Sequence, residues 1–197
     1  MIKKITIAIV MAVLCLNFRA IAQIKSDVLM PVKIGEQVPN EIWDMPMQIY
    51  KSGKYITETL RQYRGNVIVF DFWASWCGNC IEGFPKLSKL QDSVPDGLKI
   101  ILVNAKEVHD TNQAIEKVFI NHKDKLGSLP TIIQDTILHK LFSTYALPSY
   151  VVVGGDADLM GVTLSYMFHE EDIKTMVLQW KRLLEIRRKI KEGRGGK

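Results

Sequence analysis

The hydrophobic positions of the chain fall into two patterns that alternate along most of its length. Short, continuous runs rich in β-branched and aromatic residues predict buried strands, and apolar residues three and four positions apart predict amphipathic helices. The predicted strands are residues 67–73, 99–104, 129–134, 149–153 and 159–164. The predicted helices are residues 81–90, 111–123, 136–145 and 170–190. Strands that alternate with helices are typical of an α/β fold with a central sheet.

Segments before and after this pattern add to the predicted sheet. Residues 24–53 contain turn-forming glycines and prolines, which indicate short strands and tight turns ahead of the main domain. Residues 56–63 are predicted to form one or two helical turns. Gly154, Gly155 and Asp156 separate the last two predicted strands, so these strands should form an antiparallel hairpin. The pattern therefore predicts one α/β domain with an N-terminal β extension.

The first 22 residues have the features of a secretory signal peptide. Lys3 and Lys4 precede an apolar run over residues 5–16, and Ala-Ile-Ala at residues 20–22 supplies the small side chains that precede a cleavage site. We therefore expect cleavage before Gln23. A retained membrane anchor is the alternative, but the apolar run of about 12 residues is shorter than the roughly 20 that span a bilayer.

The N-terminal cysteine allows a second alternative, a lipoprotein with Cys15 as the lipid-bearing residue. Leu14 is larger than the small residue that usually precedes such a cysteine. Cleavage before Gln23 removes Cys15 and leaves Cys77 and Cys80 as the cysteines of the mature chain. One pair is too little to act as a disulfide scaffold for a domain of this size. We expect a signal peptide at 1–22, a domain at 23–192 with its core at about 32–184, and a flexible tail at 193–197.

The charge of the chain is distributed unevenly. The net charge of +5 falls to +2 when the signal peptide takes away three basic residues. Residues 181–197 then hold eight basic side chains against Glu185 and Glu192, so the body before them is net acidic. An acidic body argues against a nucleic-acid surface on the main domain. The basic run can contact anionic lipid or an acidic partner, but the charge count alone favours a solvated helix end.

Cys77 and Cys80 lie where a predicted buried strand passes into a predicted helix, the place where an α/β sheet carries its chemistry. The free amide groups and the positive dipole end of the helix favour a thiolate on Cys77, which is the nucleophilic form of a thiol. Cys80 is three residues further on and therefore a neighbour on the helix face. The two sulfurs can close a disulfide within one turn, with Cys77 as the attacking sulfur and Cys80 as the resolving one.

A zinc site is the main alternative for a C-x-x-C pair. A structural zinc ion needs four ligands, and the chain has no second cysteine pair. The histidines lie far from one another in sequence, and we interpret each as a surface or local structural residue: His109, His122, His139 and His169. We therefore expect neither a metal nor another cofactor.

The stretch Phe-Asp-Phe-Trp-Ala-Ser-Trp-Cys-Gly-Asn-Cys at residues 70–80 resembles the active-site motif of the thioredoxin superfamily. Phe84-Pro85 and the segment 145–153, with Pro148 before a core strand, resemble further parts of the same pattern. The likeness is greatest to the exported TlpA- and ResA-like branch and covers about residues 32–184. It implies a thioredoxin-like three-layer fold, in which helices flank a central mixed sheet.

The resemblance assigns roles to the matching positions. Cys77 matches the attacking cysteine and Cys80 the resolving one, while Pro148 matches a cis-proline whose loop faces the disulfide and holds the substrate backbone. Pro130 is the competing cis-proline. Asp71 matches a buried carboxylate that relays a proton to or from Cys80; an acid satisfied by local amides at a strand end is the alternative. The positions expected to contact the substrate are Trp76, Gly78, Asn79, Leu147 and Pro148.

Three positions depart from the family pattern. Asn79 stands where thioredoxins have proline, which leaves the redox potential open. Gly83 stands where the reductase branch often has a glutamate, so that role is not carried over to this chain. Leu147 replaces the smaller or β-branched residue that usually precedes the cis-proline, a change that bears on partner choice.

The resemblance implies an exported thiol–disulfide oxidoreductase in the periplasm or cell envelope of a Gram-negative bacterium. We expect it to reduce protein disulfides, as in cytochrome c maturation, and to be recharged by a membrane thiol reductase. A disulfide oxidase or isomerase is the alternative, and only the redox potential distinguishes it from the reductase. A thiol peroxidase is more remote, because Ala74 stands where peroxiredoxins have threonine. A binding module that uses the groove without turnover is the remaining alternative.

Overall fold

The computed structural model of the chain describes residues 30–164 and 167–194. The strands in this part are β1 (Met47–Lys51), β2 (Lys54–Glu58), β3 (Val67–Phe72), β4 (Leu98–Ala105), β5 (Thr131–Asp135), β6 (Ser149–Val153) and β7 (Leu159–Leu164). The helices are α1 (Asn40–Asp44), α2 (Gly78–Ser93), α3 (Asn112–Asn121), α4 (Lys123–Leu126), α5 (Leu138–Leu141) and α6 (Glu170–Arg194). Two 3₁₀ turns lie at Leu60–Tyr63 and Lys106–Val108.

The strands form one seven-stranded mixed sheet in the order β2–β1–β5–β4–β3–β6–β7. The central strands β3, β4 and β5 run parallel, and β6 and β7 continue the sheet antiparallel beyond β3. The N-terminal hairpin of β1 and β2 pairs antiparallel with β5 at the other side. The predicted mixed sheet, its N-terminal β extension and the late hairpin are therefore confirmed.

The central strand β3 is buried along its whole length, and its side chains alternate between two cores. Val69 faces the core formed with α2, α3 and α6, whereas Phe70 faces the core formed with α1 and α5. Members of the first core include Phe84, Ile115 and Val177, and members of the second include Trp43 and Leu141. Helices on both faces of the sheet give the predicted three layers.

The segment predicted as helical turns at 56–63 divides into two elements. Its first residues complete β2, which pairs with β1 through a turn where Ser52 and Gly53 have positive φ. β-branched Ile56 and Thr57 suit that pairing. Only Leu60–Tyr63 forms a helical turn, of the 3₁₀ type. The helical prediction is therefore wrong for the first half of this segment.

The helix predicted at 136–145 is reduced to α5. The Asp135 carboxylate accepts hydrogen bonds from the amides of Ile137, Leu138 and His139, which fixes where the helix begins. Ser143 has a φ of 51°, a left-handed conformation that ends it. Local side-chain caps thus shorten a segment whose apolar pattern is longer.

The last helix, α6, continues past its predicted end at Ile190 to Arg194, so Gly193 and Arg194 are helical. Residues 195–197, the predicted signal peptide at 1–22 and the cleavage site before Gln23 lie outside the described residues. Over residues 30–164 and 167–194, no helix combines the length and apolar character needed to cross a membrane.

Candidate active site

The start of helix α2 carries a disulfide between Cys77 and Cys80, whose Cα atoms lie 5.3 Å apart. Cys77 is the N-cap residue, and its Sγ accepts a hydrogen bond of 3.2 Å from the amide of Cys80. Cys77 is 7% exposed and Cys80 is fully buried. The helix therefore brings the two sulfurs together within its first turn and leaves Cys77 as the one that a partner can reach.

The electrostatic support for Cys77 comes from the helix terminus. The first turn of α2 has no acidic side chain, and its exposed residues Gly78 and Asn79 present the backbone of the turn to solvent. The free amides and the dipole of a 16-residue helix converge at this end. A negative charge on Cys77 is favoured there, so the arrangement suits a thiolate nucleophile.

The Leu147–Pro148 peptide bond is cis, and it is the cis bond found in the described part of the chain. Pro148 directly precedes β6, whose first residue Ser149 pairs with Phe72 at the end of β3. The same end of β3 leads into the loop that carries Cys77. The cis geometry implied for Pro148 is confirmed, and the competing proline Pro130 precedes β5 in the trans form.

A groove of about 560 Å³ is lined by Trp76, which precedes Cys77, and by Leu147, which precedes Pro148, whereas the two cysteines and Pro148 lie outside its lining. Trp76 is 66% exposed, and its indole N–H donates to the carbonyl of Val108 over 3.3 Å. The far end of the groove is polar, because the His139 ring lies 3.0 Å from a Glu107 carboxylate oxygen. The groove thus offers apolar contact next to Cys77 and charged contact further away.

Asp71 is fully buried in β3, and neither of its carboxylate oxygens has a hydrogen-bond partner among the described residues. Burial raises the pKa of this carboxyl well above its ordinary value of 3.8. Strand alternation places Asp71 on the same sheet face as Val69 and Trp73, beneath the α2 layer. The two carboxylate oxygens without a partner in the described part of the chain contradict the alternative of an acid satisfied by local amides.

Tyr150 is a residue near the site that the sequence did not single out. It lies directly opposite Asp71 in the antiparallel pairing of β3 and β6. Burial raises the pKa of the Tyr150 hydroxyl above its ordinary value, and the nearby Asp71 charge raises it further. A Cβ atom at Gly83 would lie 3.2 Å from this hydroxyl. The tyrosine hydroxyl therefore occupies the space beside Gly83, one helical turn beyond Cys80.

Asp110 is a second residue that the sequence did not reveal. Its carboxylate accepts hydrogen bonds from the Ser75 amide at 2.7 Å, the Ser75 hydroxyl at 2.6 Å and the Asn104 side-chain amide at 2.7 Å. Ser75 follows β3, and Asn104 lies in β4, which runs parallel to it. The carboxyl ends of parallel strands meet at one sheet edge, and that rule could have pointed to Asp110. The contact fixes the loop that precedes Cys77.

Over residues 30–164 and 167–194, no three histidine, cysteine, aspartate or glutamate side chains lie close enough together to hold a metal ion. His139, the buried histidine, instead contacts the carboxylates of Asp135 and Glu107.

Residues 46–120 match the thioredoxin family model. The chain therefore contains a thioredoxin domain, and with the Cys77–Cys80 pair at the start of α2 it is a thioredoxin-like thiol–disulfide oxidoreductase. Among curated proteins it is similar to the thioredoxin-like protein YneN of Bacillus subtilis, with 20% identity over 140 residues, 71% of this chain and 76% of the relative.

Two solved structures show the same fold. A secreted disulfide oxidoreductase of Mycobacterium tuberculosis superposes with a TM-score of 0.56 at 13% identity, over 72% of this chain and 99% of that protein. StoA of Bacillus subtilis superposes with a TM-score of 0.53 at 20% identity, over 67% of this chain and 94% of that protein. At these identities the likeness establishes the fold alone.

Proposed function

We propose that this protein is exported and reduces protein disulfides in the cell envelope. The observation that carries the proposal is the position of Cys77, which is both the N-cap of α2 and the more exposed half of a disulfide with buried Cys80. That placement separates an attacking sulfur from a resolving one. The predicted signal peptide supports export, and the likeness to a secreted oxidoreductase is consistent with it.

The first step is attack by the Cys77 thiolate on one sulfur of the substrate disulfide. A bond forms between Cys77 and that sulfur, and the second substrate sulfur leaves as a thiolate that takes up a proton. The substrate chain lies against the loop that ends in cis-Pro148 and against the exposed first turn of α2 at Gly78 and Asn79. Trp76 and Leu147 supply the apolar contacts of the groove.

The second step is attack by Cys80 on the Cys77 sulfur of the mixed disulfide. Cys80 must first lose its proton, and Asp71 accepts it. The raised pKa makes the ionised Asp71 a stronger base than an exposed aspartate. The substrate leaves with both sulfurs reduced, and two electrons have passed from the Cys77–Cys80 dithiol to it. A membrane thiol reductase then returns the pair to the dithiol form.

The reducing direction is supported by the spacer Gly78-Asn79, which lacks the histidine of strongly oxidising relatives. Cytochrome c maturation in a Gram-negative periplasm is the physiological setting that the TlpA- and ResA-like resemblance favours. Apocytochrome c is then one substrate.

The reduction potential of the Cys77–Cys80 pair tests the direction of electron flow. We expect a value near or below about −270 mV, the potential of thioredoxin, when the pair is equilibrated with glutathione or thioredoxin. A value roughly 100 mV higher would mean an oxidase, because each 30 mV or so is a tenfold change in the exchange equilibrium.

The variant Cys80→Ser tests the order of the two cysteines. It should trap substrates as mixed disulfides on Cys77, whereas Cys77→Ser should trap none and lose the exchange reaction. If partner disulfides are still processed at the normal rate with Cys77→Ser in place of the unmodified protein, Cys77 is not the attacking sulfur and the enzymatic proposal is wrong.

A further inference from the structure

The last helix, α6, projects beyond the body of the protein. Its first half packs against the sheet through three buried side chains, Ile173, Val177 and Trp180. Every residue from 181 to 192 is exposed. At about 1.5 Å of rise per residue, this half of the helix is roughly 18 Å long. Its first residues still lie beside the body, since the Lys181 side chain approaches Gly97 and Leu183 lines a cavity with the β6–β7 turn, and the Arg187 guanidinium lies 5.4 Å from the Trp180 ring.

The projecting half leaves the protein at the end opposite the disulfide. The Trp180 indole donates to the carbonyl of Gly65 over 2.7 Å, and Gly65 stands two residues before Val67, the first residue of β3. Cys77 lies in the chain beyond Phe72, at the other end of this six-residue strand, which is roughly 20 Å long. The exposed half of α6 therefore points away from Cys77 and from the groove beside it.

Three apolar side chains form a stripe along this half, at the spacing of one helix face. Leu183 is 37%, Ile186 54% and Ile190 51% exposed. At 100° per residue, Arg182 and Lys189 lie on one margin of the stripe, and Arg187 and Lys191 lie on the other. The acidic residues Glu185 and Glu192 occupy the opposite face, and Leu184 lies outside the stripe.

A second copy of the chain does not suit this stripe. Pairing two stripes, in parallel or antiparallel, would set basic margins against basic margins, and like charges beside a helix seam oppose association. A surface that is negatively charged outside and apolar just beneath is complementary to both the basic margins and the apolar stripe. Helices with an apolar face bordered by lysine and arginine lie in the plane of such a bilayer surface.

We propose that residues 182–191 of α6 bind the surface of an anionic lipid bilayer. The stripe inserts into the boundary between headgroups and acyl chains, and the four marginal cations contact the headgroups. Because the helix leaves the body at the far end of β3, this binding turns Cys77 and its groove toward the aqueous side. The charge count of residues 181–197 alone favoured a solvated helix end. The exposed stripe between two basic margins favours membrane binding instead.

Co-sedimentation with lipid vesicles tests the proposal, using the chain purified from the cell envelope. The probes are vesicles of phosphatidylcholine alone and vesicles with about one-third phosphatidylglycerol. We expect binding to the anionic vesicles only, and its loss in about 0.5 M NaCl, where charges are screened within a few ångströms. Ile186→Ser with Ile190→Ser should weaken binding about tenfold or more. Arg182→Glu with Lys189→Glu should do the same.

Two matched controls isolate the stripe. Ile120→Ser with Leu178→Ser removes two exposed apolar side chains off the stripe, and Lys117→Glu with Lys125→Glu makes the same charge change on other helices. Both controls should bind like the unmodified protein. Equal binding to neutral vesicles, no binding to anionic ones, or full binding by the stripe variants would each overturn the proposal. So would a dimer in sedimentation equilibrium that the Ile186→Ser, Ile190→Ser variant abolishes.

Discussion

At the scale of single residues, Asp71 combines complete burial with the absence of a hydrogen-bond partner among the described residues. Burying a carboxylate without a partner is costly, so the group favours its neutral form. Such a group stabilises the folded state no more than an apolar side chain of the same size would. At high pH its ionisation destabilises the folded state. Its retention in the central strand is consistent with the proposed proton transfer to and from Cys80.

The Asp71 carboxyl should make stability fall as pH rises. Below its ordinary pKa of 3.8 the group is protonated in both states, and its contribution is fully present. Between 3.8 and the raised pKa of the folded state, the unfolded chain loses the proton and the folded chain keeps it. The free energy of unfolding should then fall by up to about 1.4 kcal/mol per pH unit, a slope that Asp71→Asn removes.

Urea unfolding of the oxidised protein between pH 4 and 8 measures this slope, since those values lie within about four units above the ordinary pKa. Asp96→Asn, at an exposed position, controls for the loss of one negative charge. Parallel profiles for the unmodified protein and Asp71→Asn would show that burial does not raise this pKa.

Asp110 should hold the loop before Cys77 through its charge and both of its oxygens. Asp110→Asn removes the negative charge but can keep its one acceptor oxygen beside the Ser75 amide and the Asn104 side chain, with its N–H₂ facing the Ser75 hydroxyl. We expect a loss of about 2 kcal/mol in stability, measured by urea unfolding. We also expect slower disulfide exchange, because the loop that presents Cys77 is released.

Ser75→Ala separates the two kinds of contact with Asp110. It removes the hydroxyl bond of 2.6 Å and keeps the backbone bond of 2.7 Å, so it should cost only about 1 kcal/mol. An equal loss in Asp110→Asn and Ser75→Ala would mean that the Asp110 charge contributes nothing beyond the hydroxyl bond.

The site residues that could be predicted from the sequence are those that belong to a short, recognisable motif. Cys77, Cys80 and Pro148 stand in such motifs, and the structure places them at the same end of β3. Asp110 and Tyr150 could not be found in this way, because each acts on a residue about 35 or more positions away through strand pairing or a loop contact.

At the scale of elements, the turn between β6 and β7 packs closely against α6. A Cβ atom at Gly155 would overlap the indole ring of Trp180, which also donates a hydrogen bond to Gly65. Gly155→Ala should therefore push the helix off the sheet and cost about 1–3 kcal/mol, as overpacked cores do. Thermal or urea unfolding measures the loss.

Gly161→Ala is the matched control, because a methyl group at that position in β7 meets no atom within 4 Å. It should leave stability nearly unchanged. Similar losses in both variants would point to backbone freedom rather than to the contact with Trp180.

The elements that the sequence predicted best are those whose hydrophobic pattern is long or whose turn is distinctive. The bounds of β6 and β7 agree with the predicted strands, and Thr111, the first residue of the predicted helix at 111–123, caps α3 through a bond from the Ala114 amide. The helix α1 was missed because it has five residues, too few for a periodic pattern. The strand β2 was missed because none of its residues is fully buried, so its identity depends on pairing with β1.

At the scale of the whole molecule, the order of the strands decides which groups meet. The antiparallel strand β6 lies beside β3, and this one pairing brings cis-Pro148 to the disulfide and Tyr150 to Asp71. The resemblance to the thioredoxin superfamily implied the three layers, but the place of the β1–β2 hairpin beside β5 follows from register and could not be deduced from local pattern. The position of α6 is likewise a long-range outcome, since Trp180 in the middle of the helix contacts Gly65 just before β3.

The sulfur of Cys77 is at once a redox atom and the cap of a helix. A thiolate accepts a hydrogen bond more strongly than a disulfide sulfur does, because its full charge assists the bond. Reduction should therefore stabilise the first turn of α2, and oxidation should destabilise it. The amide of Cys80 becomes a built-in reporter: its hydrogen exchange should slow when the pair gains two electrons, which would let the redox state of the protein be followed without any substrate.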